Sequence, residues 1–485
     1  MLIDLLHGRL PRIDWTRVAS RYLPFADVAT PELPLGRLVR LALFQVTVGM
    51  VAALTVGTLN RVMIVEIGVG AWLVALMVAL PLLVAPFRAL IGWKSDRHRS
   101  ALGWRRVPFI WMGSGLQFAG LAIMPFAIVL LGGEGPLQLW AGHLAACLAF
   151  LLAGAGAQTV QTAGLALATD LATPRTRPRI VALMYVMLLL GMLLSGLVYS
   201  LLLADYSATR LVQVVQGTAA ATLVLNVVAV WKQEARDRSR ARQAVPDTPF
   251  RQAWARFTAS GRTPRFLLAV GLGTAAFNMQ DIILEPYGAQ VLGLSVGQTS
   301  LLTGLMAGGS IAACALAARL LARGVDPLRL AAGGLLAGLV AFSLVVFADP
   351  MQSHGMFRAG VVLIGLGGGL FSVGTLSAAM ALDSGGLHGM VLGAWGGVVA
   401  TAAGASVALG GALRDLVSTL GQAGALGEVL ATAGAGYGFV YHLEITLMFV
   451  TLVVLGPLVR HRPAAAPGHP SSDSPPRFGL AEFPG

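Results

Sequence analysis

Twelve long runs of apolar residues, separated by short polar segments, dominate the sequence and restrict it to a membrane. The hydrocarbon core of a bilayer is about 30 Å thick, and roughly 20 residues of α-helix cross it. The runs lie near residues 38–60, 70–91, 107–132, 137–169, 180–204, 209–231, 266–288, 297–321, 328–348, 359–382, 388–412 and 436–459. The sequence therefore predicts an all-α membrane protein with twelve transmembrane helices.

The composition agrees with this prediction. Charged residues make up 12% of the 485 residues, whereas about 25% is usual in soluble domains. A net charge of +12 would suggest nucleic-acid binding in a soluble protein. Here the basic residues fall mainly in short segments between apolar runs, which is the pattern of membrane topology, and we expect no nucleic-acid partner. Cys147 and Cys314 have no ligand spacing with histidine, so no metal site is predicted.

Lysine and arginine are distributed unequally between alternate segments. Of the 34 basic residues, 30 lie on the side of the N-terminus, and the other side has only Arg61, Arg210, Arg358 and Arg414. The positive-inside rule then places both termini in the cytoplasm. Five regions are predicted: a cytoplasmic N-terminal segment (1–36), a first six-helix half (37–231), a cytoplasmic central loop (232–265), a second six-helix half (266–460) and a disordered tail (461–485).

A weak internal repeat supports the division into two halves. Asp170 and Asp383 follow the fourth and tenth runs at equivalent positions. The string "TLNRVMIVEIG" in the first run also matches "AFNMQDIILEPYG" in the seventh, which aligns Asn60 with Asn278. Parallel six-helix repeats of this kind are typical of one large class of transporters.

The charged string "GWKSDRHRSALGWRR" (92–106) lies between the second and third runs and resembles the signature loop of the major facilitator superfamily. The matching residues are Gly92, Asp96, Arg97, Gly103, Arg105 and Arg106, with about four extra residues before Gly103. The resemblance implies a twelve-helix fold of two six-helix halves. It also implies a structural role for this loop, with Asp170 and Asp383, in holding helix ends together.

Longer strings resemble one branch of that superfamily more specifically. "LNRVMIVEIGVGAWLVALMVALPLLVAPFRALIGWKSD", "HRSALGWRRVPFIW" and "ALATDLATPRTRPRIVALMYVMLLLGM" are similar to the PucC/LhaA family of photosynthetic bacteria. The resemblance implies a light-harvesting assembly factor of the photosynthetic inner membrane of bacteria that binds or delivers bacteriochlorophyll. It also implies carotenoid as a further bound pigment. The implied partners are antenna polypeptides, preferably of the core antenna, together with membrane lipids and the bacteriochlorophyll synthesis machinery.

Several polar residues in the apolar runs are candidate pigment ligands, because magnesium in such a pigment takes one axial ligand. Asn278, Asp281 and Glu285 are spaced i, i+3 and i+7, so a continuous helix would present them on one face. Acidic residues in a membrane span are costly and indicate a function, unless Glu285 lies in water at the helix end.

Further candidates come from the fourth run. Gln158 and Gln161 form a polar face beside the small residues "GAGA", for which close helix packing is the alternative. His143 is either a ligand or a solvated residue at the end of that helix.

Three functions remain to be weighed. The first is a pigment-binding assembly factor without enzymatic activity, and the alternative is a proton-coupled transporter of a small solute. A membrane enzyme would need an Asp-rich metal-diphosphate motif or a nucleophile constellation, and the sequence contains neither. The first half has few charged residues deep in its runs, which favours a hydrophobic ligand over a soluble one.

Overall fold

The computed structural model describes residues 34–83, 104, 106–132, 135–171, 177–234, 262–381, 388–425, 427, 432 and 434–459. Twelve helices occupy these ranges. They are α1 (Leu35–Ala52, continued by π-helical segments Ala53–Leu59 and Val62–Glu66), α2 (Ala71–Leu83), α3 (Val107–Leu131), α4 (Pro136–Leu171), α5 (Arg177–Leu202), α6 (Ala208–Val230), α7a (Arg262–Asn278) with α7b (Leu284–Gln290), α8 (Val296–Ala322), α9 (Pro327–Ala348), α10 (His354–Ala381), α11 (His388–Gln422) and α12 (Ala435–Leu455).

Ten of these helices are individually long and apolar enough to cross a membrane. The bent pair α7a and α7b makes an eleventh span, and α2 is a shorter apolar helix. Large apolar side chains point away from the bundle, and Phe126, Trp140 and Leu201 are each more than 70% exposed. A surface of this kind is stable only in contact with lipid tails. The predicted all-α membrane fold is confirmed.

The two halves repeat the same helix packing. The pairs α1–α5, α3–α4 and α3–α6 of the first half recur as α7–α11, α9–α10 and α9–α12 of the second half. Each helix of the first half corresponds to the helix six positions later in the second half. Under this correspondence, the two main contacts between the halves, α5–α8 and α2–α11, are equivalent to each other. We call the end where odd-numbered helices begin the basic end and the other one the opposite end.

Glycine makes the closest helix contacts, as the run "GLGGGL" at 365–370 suggests. A Cβ on Gly365 would collide with the carbonyl of Met306, and one on Gly367 would lie 2.7 Å from the carbonyl of Gly334. In the first half, a Cβ on Gly120 would collide with the backbone of Ala153. Helices in a membrane approach closely where side chains are small, so this part of the sequence is structural.

Arg61 and Arg414 lie inside helices that extend beyond the predicted apolar runs. The π-helical continuation of α1 includes Arg61, which is 5% exposed. Helix α11 runs to Gln422 and includes Arg414. Each arginine can stay inside because an acid pairs with it: Glu66 pairs with Arg61, and Asp415 pairs with Arg414.

At the basic end of the first half, polar contacts join the described helix ends. Arg106 Nε lies 3.1 Å from Asp170 Oδ2, so two residues of the predicted loop signature form an ion pair between α3 and α4. The carboxylate of Glu234 accepts hydrogen bonds from the backbone N–H groups of Arg106 and Val107 at the start of α3. The other signature residues (Gly92, Asp96, Arg97, Gly103, Arg105 and Asp383) lie outside the described residues, as do the N-terminal segment, most of the central loop and the tail.

The α5–α8 contact supplies a test of the packing between the halves. A Cβ on Gly196 would lie 2.6 Å from the backbone nitrogen of Gly304, so Gly196→Ala should destabilise the protein by about 1–3 kcal/mol through overpacking. The matched control is Gly217→Ala, because no atom lies within 4 Å of its Cβ position. Thermal unfolding in detergent should show a lower midpoint for Gly196→Ala only. Equal midpoints for both variants would contradict this close approach.

Candidate functional site

The break in the seventh helix brings the two halves together. Pro286 has no N–H group, so the carbonyl of Ile282 loses its normal intrahelical hydrogen bond. A 3-10 turn at Met279–Ile282 and a 40° bend between α7a and α7b result. The side chain of Asn60 in α1 donates to the Ile282 carbonyl at 2.8 Å and to the Asp281 carbonyl at 3.4 Å. A residue of the first half therefore satisfies the open backbone of the second half.

Glu285 lies in this junction. It is 3% exposed, and its Oε1 accepts a 2.6 Å hydrogen bond from Thr303 of α8. The other carboxylate oxygen is buried without a hydrogen-bond partner among the described residues. Gly57 of α1 leaves the space that this pair fills, since a Cβ there would collide with Glu285. Thr58 and Ser300 add a 2.9 Å hydrogen bond between the halves.

A second polar contact closes the opposite end between α2 and α11. Asp415 Oδ2 accepts a 2.8 Å hydrogen bond from the backbone N–H of Trp72, so it caps the start of α2 from the other half. Arg414 lies beside it, with its guanidinium 4.5 Å from the ring centre of Tyr437 and 2.7 Å from Gln290 Oε1. Among the described residues, the hydrogen bonds that join the halves all lie at this end.

Between the halves, a cavity of about 270 Å³ lies on the other side of this closure. Residues of α5, the α7 break, α8, α10 and α11 line it, including Tyr185, Asn278, Gln280, Asp281 and Ser310. Asn278 Nδ2 donates to the carbonyl of Thr274 at 2.8 Å, which leaves its oxygen for a ligand. Asp281 Oδ1 accepts from Gln280 Nε2 at 2.5 Å. Most residues that line the cavity thus belong to the second half, and the polar ones cluster at the α7 break.

The prediction that Asn278, Asp281 and Glu285 share one helical face is wrong. The 3-10 turn changes the periodicity after Asn278, and the bend turns α7b away. Asn278 and Asp281 line the cavity, whereas Glu285 faces Thr303 in the junction between the halves. The alternative of a solvated Glu285 is also wrong, since this residue is buried.

The candidates of the fourth span lie elsewhere. Gln161 donates to Gln45 of α1 at 3.4 Å, and Gln158 keeps a buried oxygen without a partner in the described part of the chain. The neighbouring glycines pack tightly, because a Cβ on Gly154 would collide with Pro81. His143 stacks edge-on against the lipid-facing Trp140 at 6.5 Å. These first-half candidates do not line the cavity.

Neither Gln280 nor Glu444 was among the candidate site residues predicted from the sequence. Both side chains are fully buried, on the α7 break and on α12 respectively. Neither carboxylate oxygen of Glu444 has a hydrogen-bond partner among the described residues. The available signal for Glu444 was a carboxylate in the middle of an apolar run. Gln280, its neighbour across the helix interface, had no such signal.

A larger groove lies at the basic end of the first half, with a volume of about 580 Å³. Three tryptophans contribute to its wall, Trp104, Trp111 and Trp231, together with valines of α3 and α6. Its polar rim includes Arg37 and Lys232. Arg37 donates to the side chain of Gln233 at 3.0 Å and to its backbone carbonyl at 2.9 Å, which fixes the chain after α6.

Together, the twelve helices, the paired halves and the central cavity define a multi-pass membrane protein with the major facilitator fold. A solved bacterial homologue of the human lysosomal transporter Spinster, in an inward-facing and unoccupied conformation, is similar in fold, with a TM-score of 0.64. The match covers 87% of this chain and 95% of that one, at 14% identity.

The sequence comparisons identify the family. The model of the PUCC protein family matches residues 58–463, and the chain belongs to this family. It is 51% identical over 471 residues to an uncharacterized protein in the puhA-bchM intergenic region of Rhodobacter capsulatus, covering 96% of this chain and 98% of that one. It is also 52% identical to the protein PucC of Rhodovulum sulfidophilum, over 84% and 92% of the two chains.

The cap on α2 gives a test of the closed end. Asp415→Ala should remove the acceptor for the Trp72 N–H, and the loss of a helix cap costs about 1 kcal/mol. Hydrogen exchange in the first turn of α2 should become faster. The control is Asp205→Ala, whose ion pair with Arg210 is exposed and contributes little. Unchanged exchange in Asp415→Ala would show that this contact does not hold the ends of the halves together.

Proposed function

We propose that this protein is an assembly factor for photosynthetic antenna complexes that binds bacteriochlorophyll and delivers it to antenna polypeptides within the membrane. The observation that carries the proposal is family membership along residues 58–463. The fold alone fits a transporter equally well, since one fold hosts many functions. The family membership of the chain therefore favours the assembly function over transport.

The sizes of the two cavities favour the groove over the central cavity as the pigment site. Sites for drug-sized ligands have volumes of roughly 300–1,000 Å³. The central cavity, at about 270 Å³, falls below this range, and its lining includes the polar side chains of Asn278, Gln280 and Asp281. The groove at the basic end, at about 580 Å³, falls inside it. A flat macrocycle with a long apolar tail thus fits the groove at the basic end better than the central cavity.

The chemistry of the groove also fits the faces of a macrocycle. Aromatic rings stack on flat conjugated systems, and the indoles of Trp111 and Trp231 are 49% and 59% exposed. Lys232 and Arg37 at the rim suit the polar edge of the ring. Gln233 is already held by Arg37, and Glu234 caps α3, so these side chains are engaged as supports. The bound pigment would supply the light-absorbing chemistry, while these residues would orient it.

The association with antenna polypeptides is supported by the outward-facing apolar surface. Antenna polypeptides of the membrane have apolar surfaces of their own, and helices in lipid associate through packing between such surfaces. Residues on several helices are available for this contact, including Phe126 of α3 and Val453 of α12, exposed by 71% and 73%. The proposed setting is the photosynthetic inner membrane, with both termini in the cytoplasm.

The second candidate function is a proton-coupled transporter of a small solute. One observation favours it: the central cavity contains Asp281 and lies between two halves that are closed at one end. A transporter of this kind would take a soluble compound into the cavity and would not need the tryptophan groove.

Purification from pigment-producing cells in mild detergent tests the main proposal. We expect an absorption spectrum with bacteriochlorophyll bands and co-purifying antenna polypeptides, identified by mass spectrometry. A colourless protein without antenna polypeptides, whose loss from cells leaves antenna complexes intact, would contradict the proposal. Uptake of a soluble compound by reconstituted vesicles in that case would favour the transporter.

The groove makes a separate prediction. Trp111→Ala and Trp231→Ala should each lower the pigment content of the purified protein several-fold, because each removes one stacking surface of about 1 kcal/mol. Trp140→Ala is the matched control, since this tryptophan is 71% exposed at the opposite end of the bundle. Equal pigment content in all three variants would place the pigment elsewhere without contradicting the assembly function.

A further inference from the structure

Glu444 has an unusual environment for an acid. It lies in the middle of α12 and is 0% exposed, and both of its carboxylate oxygens are without a hydrogen-bond partner among the described residues. An unpaired ionised carboxylate is strongly destabilising in an apolar interior. Acids at membrane depth persist where they face a partner or a functional site. The charge of Glu444 therefore requires a positive counterpart.

The α7 break lies next to this carboxylate and offers further acceptors. The 3-10 turn Met279–Ile282 packs directly against α12. Gln280 and Asp281 of this turn are the polar neighbours of Glu444. Gln280 is also 0% exposed, and its Nε2 donates to Asp281 Oδ1 at 2.5 Å and to the Phe277 carbonyl at 3.3 Å. These bonds use the donors of the amide, and its Oε1 has no partner in the described part of the chain.

The cluster therefore has more acceptors than donors. Carboxylates and amide oxygens accept hydrogen bonds and bind hard cations. The hydroxyl of Tyr441, one turn before Glu444, is a buried donor, and it is also without a partner among the described residues. No protein cation faces Glu444 from the described parts of the packed helices. Asp281 on the turn is negative, and Tyr287 on α7b, which lies near Tyr441, is neutral at neutral pH.

We propose that Glu444, Gln280 and Asp281 form a binding site for a small monovalent cation, a proton or Na⁺, at the break of the seventh helix. The described residues contain no group of three His, Cys, Asp or Glu that would hold a metal ion of higher charge. Discontinuous helices commonly bind coupling ions at their unwound backbone. The site extends beyond the proposed pigment function, and it does not depend on that function.

The position of the site gives it access and a route of coupling. Asp281 and Gln280 line the central cavity, so a cation that enters the cavity meets these two members of the site, while Glu444 belongs to the neighbouring α12. The same turn carries the Asp281 and Ile282 carbonyls that Asn60 binds from the first half. Occupation of the site thus stabilises the turn that the two halves share.

Chemical labelling of the full-length protein in detergent tests the site. Dicyclohexylcarbodiimide reacts with protonated carboxyl groups in apolar surroundings, and the modified peptide is identified by mass spectrometry. We expect modification of the peptide that contains Glu444, its loss in Glu444→Gln, and no change in Asp205→Asn, whose side chain is 90% exposed. Modification should decrease as the pH rises. Protection by NaCl, but not by choline chloride, would assign Na⁺ to the site, and protection by high pH alone would assign the proton.

Thermal unfolding provides an independent measurement. The midpoint of the wild-type protein should depend on pH or on Na⁺, and Glu444→Gln should remove this dependence while the protein stays folded. If Glu444→Gln does not fold, Gln280→Leu serves as the second variant, and it should weaken the dependence. Absence of modification at Glu444 at every pH, together with a midpoint that responds identically in wild type and variants, would overturn the proposal.

Discussion

The hydrogen bond between Asn60 and the carbonyl of Ile282 is the contact on which the junction of the halves depends. A backbone carbonyl without a partner costs several kcal/mol in a membrane interior. Pro286 leaves the Ile282 carbonyl without its intrahelical partner, and Asn60 of the other half donates a hydrogen bond to it. The break in α7 is therefore stabilised by the close approach of α1. The polar side chains of Gln280 and Asp281 reach the cavity because this break exists.

The two halves share a packing scheme but differ in their chemistry. In the first half, polar contacts join helix ends at the basic end, where Arg106 meets Asp170 and Glu234 caps α3. In the second half, buried acids surround the α7 break, and an aromatic cluster packs beside them, with the rings of Tyr287 and Tyr441 5.3 Å apart. The same fold thus carries a tryptophan-lined groove at the basic end of one half and buried acids in the other.

The sequence predicted the helices because a span needs only length and apolarity, and both are visible along the chain. It mispredicted the face of Asn278, Asp281 and Glu285, since periodicity assumes a continuous helix and Pro286 interrupts this one. It placed Arg61 in a loop because a charge in a span was costly; the pairing with Glu66 became visible only in three dimensions. The neighbours of Glu444 depend on how α12 packs against α7, which no local pattern encodes.

The closed opposite end also bears on how a pigment would move. Opening it requires breaking the Asn60, Thr58 and Asp415 hydrogen bonds between the halves, each worth about 0.5–1.5 kcal/mol, and separating the glycine contacts of α5 and α8. A transporter of soluble compounds must meet this cost in every cycle. A ligand that enters and leaves from the lipid does not need that end to open. The closure is therefore compatible with a stable platform on which a membrane-embedded pigment exchanges laterally.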